Sequence, residues 1–450
     1  MKTGNQASPD PGVPPPPRPL WFALLALALV VPVVGVENIA SRFNEPYPEA
    51  ASKKGLQVEV VDDALALGVK HAALNINLTG LFVREPADDA TPYEFEGEVF
   101  RFNTGYLKQM DARIKPLSDA GVLVNLIVLA YASGRPEADR VLLHPNYDTN
   151  APNRLGAFNT LTPEGRQWFR ACLSCLAGRW SHPDGVHGRV AGYVIGNEVN
   201  SHWWWANAGR VTMHQFADDY LRTMRLAHTA VRRQSSWARV YLSLEHHWNI
   251  RFPQGDRHQC FPAREFLEYF AHRAREQGDF DWQVAFHPYP EDLFQPAFWN
   301  DQTATLKENT PRITFKNLEM LVAFMSRPEM LYQGKPRRII LSEQGFHTPE
   351  GEAGELLQAA AYCYAYKKVE AIDGIDAFIL HRHVDHPAEG GLLLGLRRMT
   401  PSGSEPRARK RSYECFRLAD TPQWEEAFSF ALPIVGLTNW NRVVQPPGSK

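Results

Sequence analysis

The feature that most constrains the fold is a series of seven hydrophobic runs separated by helical patterns. Most of these runs are apolar at nearly every position and do not alternate between apolar and polar side chains. Such runs are typical of parallel strands that are buried on both faces. They span residues 71–78, 121–130, 190–196, 238–245, 281–287, 337–343 and 375–381.

Helical signals lie between the runs. Thr162 and Pro163 form an N-cap followed by proline at the first helical position, and they begin a helix that reaches about Trp180. Thr212 and Gln215 form a capping box before a second long helix. Regular alternation of strands and helices predicts an α/β fold, a single (β/α)8 TIM barrel with long loops whose first strand precedes residue 63. Further helices are predicted at about 262–277, 314–326, 354–371 and 410–418.

Several other classes of protein are excluded by what the sequence contains. Neither G-x-G-x-x-G after a strand nor G-x-x-x-x-G-K-[ST] occurs, so no nucleotide cofactor is expected. The 48 Lys and Arg residues nearly balance 50 Asp and Glu residues, whereas general nucleic-acid binding needs a basic excess. The odd number of 5 cysteines does not form a disulfide framework.

The N-terminal region differs from the rest of the chain in its amino-acid composition. Residues 1–19 are rich in proline and are expected to be disordered and extended. Residues 20–36 form an uncharged apolar run of 17 residues, the lower limit for a membrane span, which predicts a signal peptide or a signal anchor. The barrel, residues 37–450, is then exported, with possible membrane anchoring. The alternative is a buried strand or core helix, because Pro32 would end a helix early.

Two of the predicted strands lead into carboxylates. In barrels of this kind the active site lies at the C-terminal ends of the strands. The fourth-strand run is followed by Asn197 and Glu198, and the seventh ends at Glu343. Each glutamate alone is equally consistent with a loop salt bridge or a helix cap. Two carboxylates that face each other, however, can cleave a glycosidic bond, one as acid and the other as nucleophile or as activator of water.

Further polar and aromatic side chains follow the other strands and are predicted to line a substrate site. Trp204 belongs to a run of three tryptophans shortly after Glu198, where an exposed indole offers a flat face to a sugar ring and burial under the loop is the alternative. The other predicted substrate-binding residues are Asn75, Asn197, Glu245, Trp248, His287, Tyr289, His381 and His383.

The strand-end motifs occur in an order that resembles a known superfamily. G-N-E at 196–198, H-P-Y at 287–289 and S-E-Q-G at 342–345 resemble the clan A glycoside hydrolases. In that clan an Asn-Glu pair ends the fourth barrel strand, a His or Tyr site ends the sixth, and a Glu ends the seventh. The phrases LGVKHAALNINL, GNEVN and LSEQGF are also similar to an uncharacterised bacterial family of barrel proteins without an assigned substrate.

The resemblance implies roles for individual residues. Glu198 corresponds to the acid/base and Glu343 to the nucleophile of a retaining hydrolase acting on a polysaccharide or oligosaccharide. Asn197 would bind the sugar hydroxyl next to the reacting carbon, and Tyr289 would orient Glu343. Two positions depart from the pattern: Asn75 stands near where many members carry Arg, and residues 381–383 stand where many carry Trp. The resemblance therefore does not carry over a particular sugar.

The sequence is also consistent with two other functions. A non-catalytic carbohydrate-binding barrel would place the two glutamates outside a separation of about 5–6 Å or pointing away from the cleft. A metallohydrolase would use His381, His383 and Asp385, since alternation along a strand would put both histidines on one face. We favour hydrogen bonds from these residues to substrate or to Glu343, and we predict no metal site.

Overall fold

The computed structural model describes residues 39–85, 89–400 and 403–444. Eight parallel strands form a closed barrel in which each strand pairs with its neighbours along the chain. The predicted (β/α)8 fold is confirmed, and its first strand lies before residue 63. The strands are β1 (Lys54–Gln57), β2 (His71–Asn77), β3 (Leu123–Leu129), β4 (Gly192–Ile195), β5 (Arg239–Glu245), β6 (Trp282–His287), β7 (Ile339–Leu341) and β8 (Ile375–Leu380).

The barrel has apolar packing on both sides of its strands. β3 is buried at every position, as its nearly continuous hydrophobic sequence predicts. Outward side chains pack under the helices in one large core, and inward side chains fill the barrel in a smaller one. The inner core closes the barrel below the polar strand ends, so a ligand can enter only from the C-terminal face. It includes Ala73, Ile127, Val194, Tyr241, Ala285, Ile340, Ala377 and Ile379.

The main helices surround the barrel, and the two that carry capping signals begin where those signals predict. The Oγ of Thr162 accepts a hydrogen bond from the amide of Gly165 at 3.1 Å, and the capping box between Thr212 and Gln215 is formed. The predicted helix at 314–326 is shorter, because a 3-10 turn precedes it. The main helices are α1 (Val61–Ala66), α2 (Thr104–Asp119), α3 (Pro163–Arg179), α4 (Met213–Gln234), α5 (Ala263–Glu276), α6 (Glu319–Met325), α7 (Gly351–Glu370) and α8 (Arg411–Leu418).

Smaller elements fill the connections. A three-stranded antiparallel sheet between β2 and α2 packs Phe82, Phe100 and Phe102 around Trp168 of α3. Its strands are Phe82–Val83, Ala90–Phe95 and Glu98–Asn103, and a two-stranded ribbon comprises Arg397–Thr400 and Gly403–Arg409. The short helices are Leu78–Leu81, Pro136–Leu142, His202–Trp205, Trp424–Phe428 and Ala431–Val435. The 3-10 turns are Val199–Ser201, Phe298–Asn300, Phe315–Asn317, Pro328–Met330 and Trp440–Arg442.

The predicted N-terminal segments, 1–19 and 20–36, lie outside the described residues. Within the part of the chain that is described, none of the helices combines the length and the apolar character that crossing a bilayer requires. Export and membrane anchoring through residues 20–36 therefore stay predictions.

Candidate active site

Glu198 follows β4 in an unusual backbone conformation. Its φ of 40° and ψ of 51° lie in the left-handed region, which residues other than glycine seldom adopt. The amide of Glu198 donates a hydrogen bond to Oγ of Ser243 on β5 at 3.0 Å, which anchors this conformation. Strained residues that are held in this way are concentrated at functional sites.

His287 links three strand ends. Its Nδ1 lies 2.8 Å from Oε1 of Glu198, and its Nε2 lies 2.9 Å from Oγ of Ser342, directly after β7. The imidazole is only 1% exposed. Burial by itself lowers the pKa of His287, but its contact with Glu198 and the nearby charge of Glu343 raise that pKa above its ordinary value. His287 therefore fixes the side chain of Glu198 in the middle of the site.

Glu343 completes the site from the end of β7. One carboxylate oxygen of Glu343, one of Glu198 and a ring nitrogen of His287 all lie within 4.8 Å of one another. The Tyr289 hydroxyl donates a hydrogen bond to Oε1 of Glu343 at 3.2 Å. The structure thus brings together one residue of the G-N-E motif, two of H-P-Y and one of S-E-Q-G. These residues are Glu198, His287, Tyr289 and Glu343.

The two glutamates lie in different environments. Glu198 is 8% exposed, and burial raises its pKa. The hydrogen bond and charge of His287 oppose this increase, the charges of Glu343 and Glu245 add to it, and the net shift of the Glu198 pKa is upward. Burial disfavours the charged form of a carboxyl group, so Glu198 is suited to hold and donate a proton. Glu343 is half-buried at the cavity wall. Burial also raises the pKa of Tyr289 well above its ordinary value, so its hydroxyl remains a donor to Glu343.

Glu245 lies beneath the turn that carries Glu198. Its Oε1 accepts hydrogen bonds from Nδ2 of Asn200 at 2.6 Å and Oγ of Ser201 at 2.8 Å. Its Oε2 accepts one from the amide of His247 at 2.8 Å. Burial would raise the pKa of Glu245, but the charge and hydrogen bonds of His247 lower it to about 2. Glu245, predicted to contact substrate, instead holds the loop after β4 with a permanent negative charge.

A cavity of about 460 Å³ opens beside Glu343 and Asn197. Its polar wall comes from β1, β2 and the chain after β8. Nε2 of Gln57 donates to Oδ1 of Asn75 at 3.1 Å, and Oε1 of the same Gln57 side chain contacts Nδ1 of His381. Asn75 and His381, both predicted to bind substrate, therefore lie together on this wall. The wall also includes Glu59, Arg113, Tyr131, Trp205, Arg382 and Glu389.

The predicted tryptophans lie in other places. Trp204 packs against Phe252 with ring centroids 4.5 Å apart, and Trp248 is 3% exposed and packs against Phe324 at 4.9 Å. In this arrangement neither indole presents a face to the cavity. Trp205, their neighbour in the same run, lines the cavity instead.

The histidines after β8 do not share a face. β8 ends at Leu380, so strand alternation does not extend to residues 381–383. His383 is buried, and its Nε2 lies 2.8 Å from Oδ2 of Asp63. Asp385 instead accepts a hydrogen bond from Nζ of Lys410 at 2.6 Å. Because these residues point to different partners, the ligand set of the metallohydrolase alternative does not assemble, and His383 does not face the cavity.

Two other clusters among the described residues have the spacing of metal ligands. One is the group of Glu198, His287 and Glu343, and the other comprises residues 245–247. In the second cluster Nδ1 of His247 lies 2.6 Å from Oε2 of Glu245, and Nδ1 of His246 lies 2.9 Å from the carbonyl oxygen of Tyr289. These side chains already have protein partners, and they link the loops after β5 and β6.

The barrel is similar in fold to known glycoside hydrolases. The hyperthermophilic beta-glucosidase from Pyrococcus furiosus matches with a TM-score of 0.51 and 16% identity over 83% of this chain and 86% of that chain. A family 39 glycoside hydrolase from the gut symbiont Bacteroides cellulosilyticus WH2 matches with a TM-score of 0.50 and 14% identity over 81% of this chain and 62% of that chain. No curated protein sequence matches. A family model matches residues 46–443, and the chain therefore belongs to DUF5722, described as a family of unknown function.

Proposed function

We propose that the protein is a retaining glycoside hydrolase that cleaves a polysaccharide or oligosaccharide through a glycosyl-enzyme intermediate. The observation that carries this proposal is the approach of Glu198 and Glu343 to within 4.8 Å at the mouth of the barrel. Retaining enzymes have their carboxyl groups about 5–5.5 Å apart, whereas inverting enzymes need about 6.5–9.5 Å to admit water between them. The short separation favours direct attack by a carboxylate.

The reaction follows from the two environments. Glu198 donates its proton to the leaving oxygen while Oε of Glu343 attacks the anomeric carbon, which breaks the glycosidic bond and forms an ester. Glu198, now ionised, takes a proton from water, and that water releases the sugar from Glu343. Tyr289 holds Glu343 in place by its hydrogen bond to Oε1. The raised pKa of Glu198 supports its role as acid in the first step.

The cavity supports a carbohydrate as the ligand. It is bordered by Glu343 and by Asn197, and its wall carries amide and carboxyl groups that pair with sugar hydroxyls. The non-catalytic alternative requires glutamates that lie farther apart or point away from the cleft, which the approach of Glu198 and Glu343 disfavours. The similar structures are described as a beta-glucosidase and a family 39 glycoside hydrolase, which supports the same class of substrate.

The proposal includes export from the cytoplasm, with possible anchoring in the membrane. It rests on the uncharged run at 20–36, which follows the positive charges of Lys2 and Arg18. Fractionation of cells that express the full chain tests it, because recovery of all the protein in the cytoplasm would contradict export.

Replacement of Glu343 tests the enzymatic function. We expect Glu343→Gln to lower kcat/KM by on the order of 10⁴- to 10⁶-fold on a panel of aryl glycosides and polysaccharides, with an unchanged melting temperature. Glu343→Gly supplied with azide should form a glycosyl azide of inverted configuration. The matched control is Glu350→Gln, an exposed glutamate shortly after β7, which should retain wild-type activity. Substantial hydrolysis by folded Glu343→Gln would refute the assignment.

A further inference from the structure

Arg382 lies on the cavity wall and is held by two carboxylates. Its Nε donates a hydrogen bond to Oε1 of Glu59 at 2.9 Å, and its Nη1 donates one to Oε1 of Glu389. Its side chain is only 15% exposed. Burial raises the pKa of Glu389, but His381 and Arg382 lower it to about 2, so Glu389 faces the cavity as an anion. The guanidinium group therefore meets protein carboxylates on two of its edges.

The second guanidinium group on the cavity wall, that of Arg113, also has a protein hydrogen-bond partner. Arg113 of α2 donates a hydrogen bond to the carbonyl oxygen of Val58. It also lies in the electrostatic field of Glu59, the carboxylate that binds Arg382. Among the described residues that line the cavity, Glu59, Glu343 and Glu389 carry carboxylates, and Arg113 and Arg382 carry guanidinium groups. His381 adds an imidazole whose Nε2 lies 3.5 Å from Oε1 of Glu389.

This arrangement has a consequence for acidic sugars. Arginine recognises a carboxylate through a free pair of N–H groups, and the Nε and Nη1 groups of Arg382 are already bonded to Glu59 and Glu389. A uronic acid bound here would bring its carboxylate close to Glu343 and Glu389, and like charges at short range are strongly unfavourable in a confined space. Hydroxyl groups of an uncharged sugar, by contrast, donate hydrogen bonds to these carboxylates.

We propose that the cavity takes a sugar residue without a carboxylate, and that Glu59 and Glu389 exclude uronic acids by occupying Arg382. The inference rests on the proposed function, because this sugar is the residue whose anomeric carbon Glu343 attacks. Glu59 and Glu389 are thereby specificity-determining residues for the reaction.

The first test compares substrates that share one leaving group. The full chain is assayed with 4-nitrophenyl glucosides, galactosides, mannosides and xylosides and with the corresponding uronides, in both anomeric series. We expect at least one neutral glycoside to exceed every uronide in kcat/KM by about 100-fold or more. A uronide that is cleaved as fast as the best neutral glycoside overturns the inference and leaves the proposed function intact.

The second test frees Arg382. Glu389→Gln and Glu59→Gln each remove one of its anionic partners, so each should raise the ratio of uronide to neutral-glycoside kcat/KM by about tenfold. The matched control is Glu96→Gln, because Glu96 also pairs with two arginines, Arg170 and Arg233, but lies in the turn between two strands of the three-stranded sheet. The ratio of uronide to neutral-glycoside kcat/KM in Glu96→Gln should equal that of the wild type. An unchanged ratio in both cavity variants overturns the inference.

A binding measurement separates the inference from the proposed function. If no glycoside is cleaved, the proposed function fails, and titration calorimetry with glucose, galactose, mannose and xylose and with their uronates still tests the charge of the site. Binding of a neutral sugar in preference to its uronate supports the inference. Preference for a uronate, or binding of neither, overturns it.

Discussion

The buried corner around Glu198 and the polar cavity wall are built on different principles. In the corner, Glu198, His287 and Ser342 are connected in a chain of hydrogen bonds that joins the ends of β4, β6 and β7. On the wall, Asn75 is exposed and meets Gln57, while Arg382 and Glu389 come from the chain after β8. The corner fixes atoms that have to react, whereas the wall presents groups that have to fit a particular sugar.

The same contrast divides the two glutamates. Glu198 is enclosed and its pKa is raised by burial, and Glu343 stands at the edge of the cavity with one hydrogen bond from Tyr289. Two carboxyl groups in different environments can take the roles of acid and nucleophile at one pH. Breaking the corner should therefore alter the chemistry more than altering the wall does.

Within the corner, loss of the proton donor Glu198 should reduce activity more than loss of the groups that surround the two glutamates. Glu198→Gln keeps the shape of the side chain but removes its proton, and general acid catalysis contributes about 10²- to 10⁴-fold. We expect kcat/KM to fall by that amount for glycosides with poor leaving groups. It should fall much less for 2,4-dinitrophenyl glycosides, which need little protonation of the leaving oxygen.

Azide provides the internal control for this variant. With Glu343 intact, azide should attack the glycosyl-enzyme of Glu198→Gln and give a glycosyl azide of retained configuration, opposite to the product expected from Glu343→Gly. An equal loss of activity across all leaving groups would contradict the role of Glu198 as acid.

Removal of the hydrogen bond to Glu343 should have an intermediate effect. Tyr289→Phe deletes the donor to Oε1 of Glu343, and a hydrogen bond to a charged group contributes about 1.5–3 kcal/mol, or roughly 10- to 100-fold in rate. The matched control is Tyr131→Phe, because this phenol lines the same cavity and lies in the field of Glu343. We expect Tyr131→Phe to change kcat less than tenfold, and equal losses in both variants would argue against a specific role of Tyr289.

The barrel could be predicted because most of its strands are buried on both faces. β3, for example, is apolar at all but one of its positions, and a run of this kind has few other stable arrangements. β1 gave no such signal, since Lys54–Gln57 contains a lysine and a glycine. Lys54 is buried there because its Nζ donates a hydrogen bond to the carbonyl oxygen of Ala419 at 3.0 Å, a partner that is distant in sequence. A first strand before residue 63 was expected, but its position was not, and Gln57 on the cavity wall was therefore not predicted.

The residues of the corner could be predicted from the sequence more completely than those of the cavity wall. Glu198, His287 and Glu343 follow strands, so their convergence follows from the closure of the barrel. Glu389 lies in the long loop after β8, where sequence alone does not give the direction of a side chain. The run of three tryptophans forms part of the helical turn His202–Trp205, in which successive side chains point in different directions. The pattern therefore could not distinguish Trp205, which lines the cavity, from Trp204.

The smallest expected effect is a pair of opposite shifts in the pH dependence. The charge of Glu245 raises the pKa of Glu198, and the hydrogen bond of His287 lowers it. Glu198 has to be protonated for the first step, so the basic limb of kcat/KM follows its pKa. Glu245→Gln removes the charge and should move that limb to lower pH, whereas His287→Gln removes the stabilising contact and should move it to higher pH. A merely structural loss of activity would lower the pH profiles of kcat/KM in both variants without moving them apart. Shifts of the two basic limbs in the same direction would therefore contradict the assigned effects of Glu245 and His287 on the pKa of Glu198.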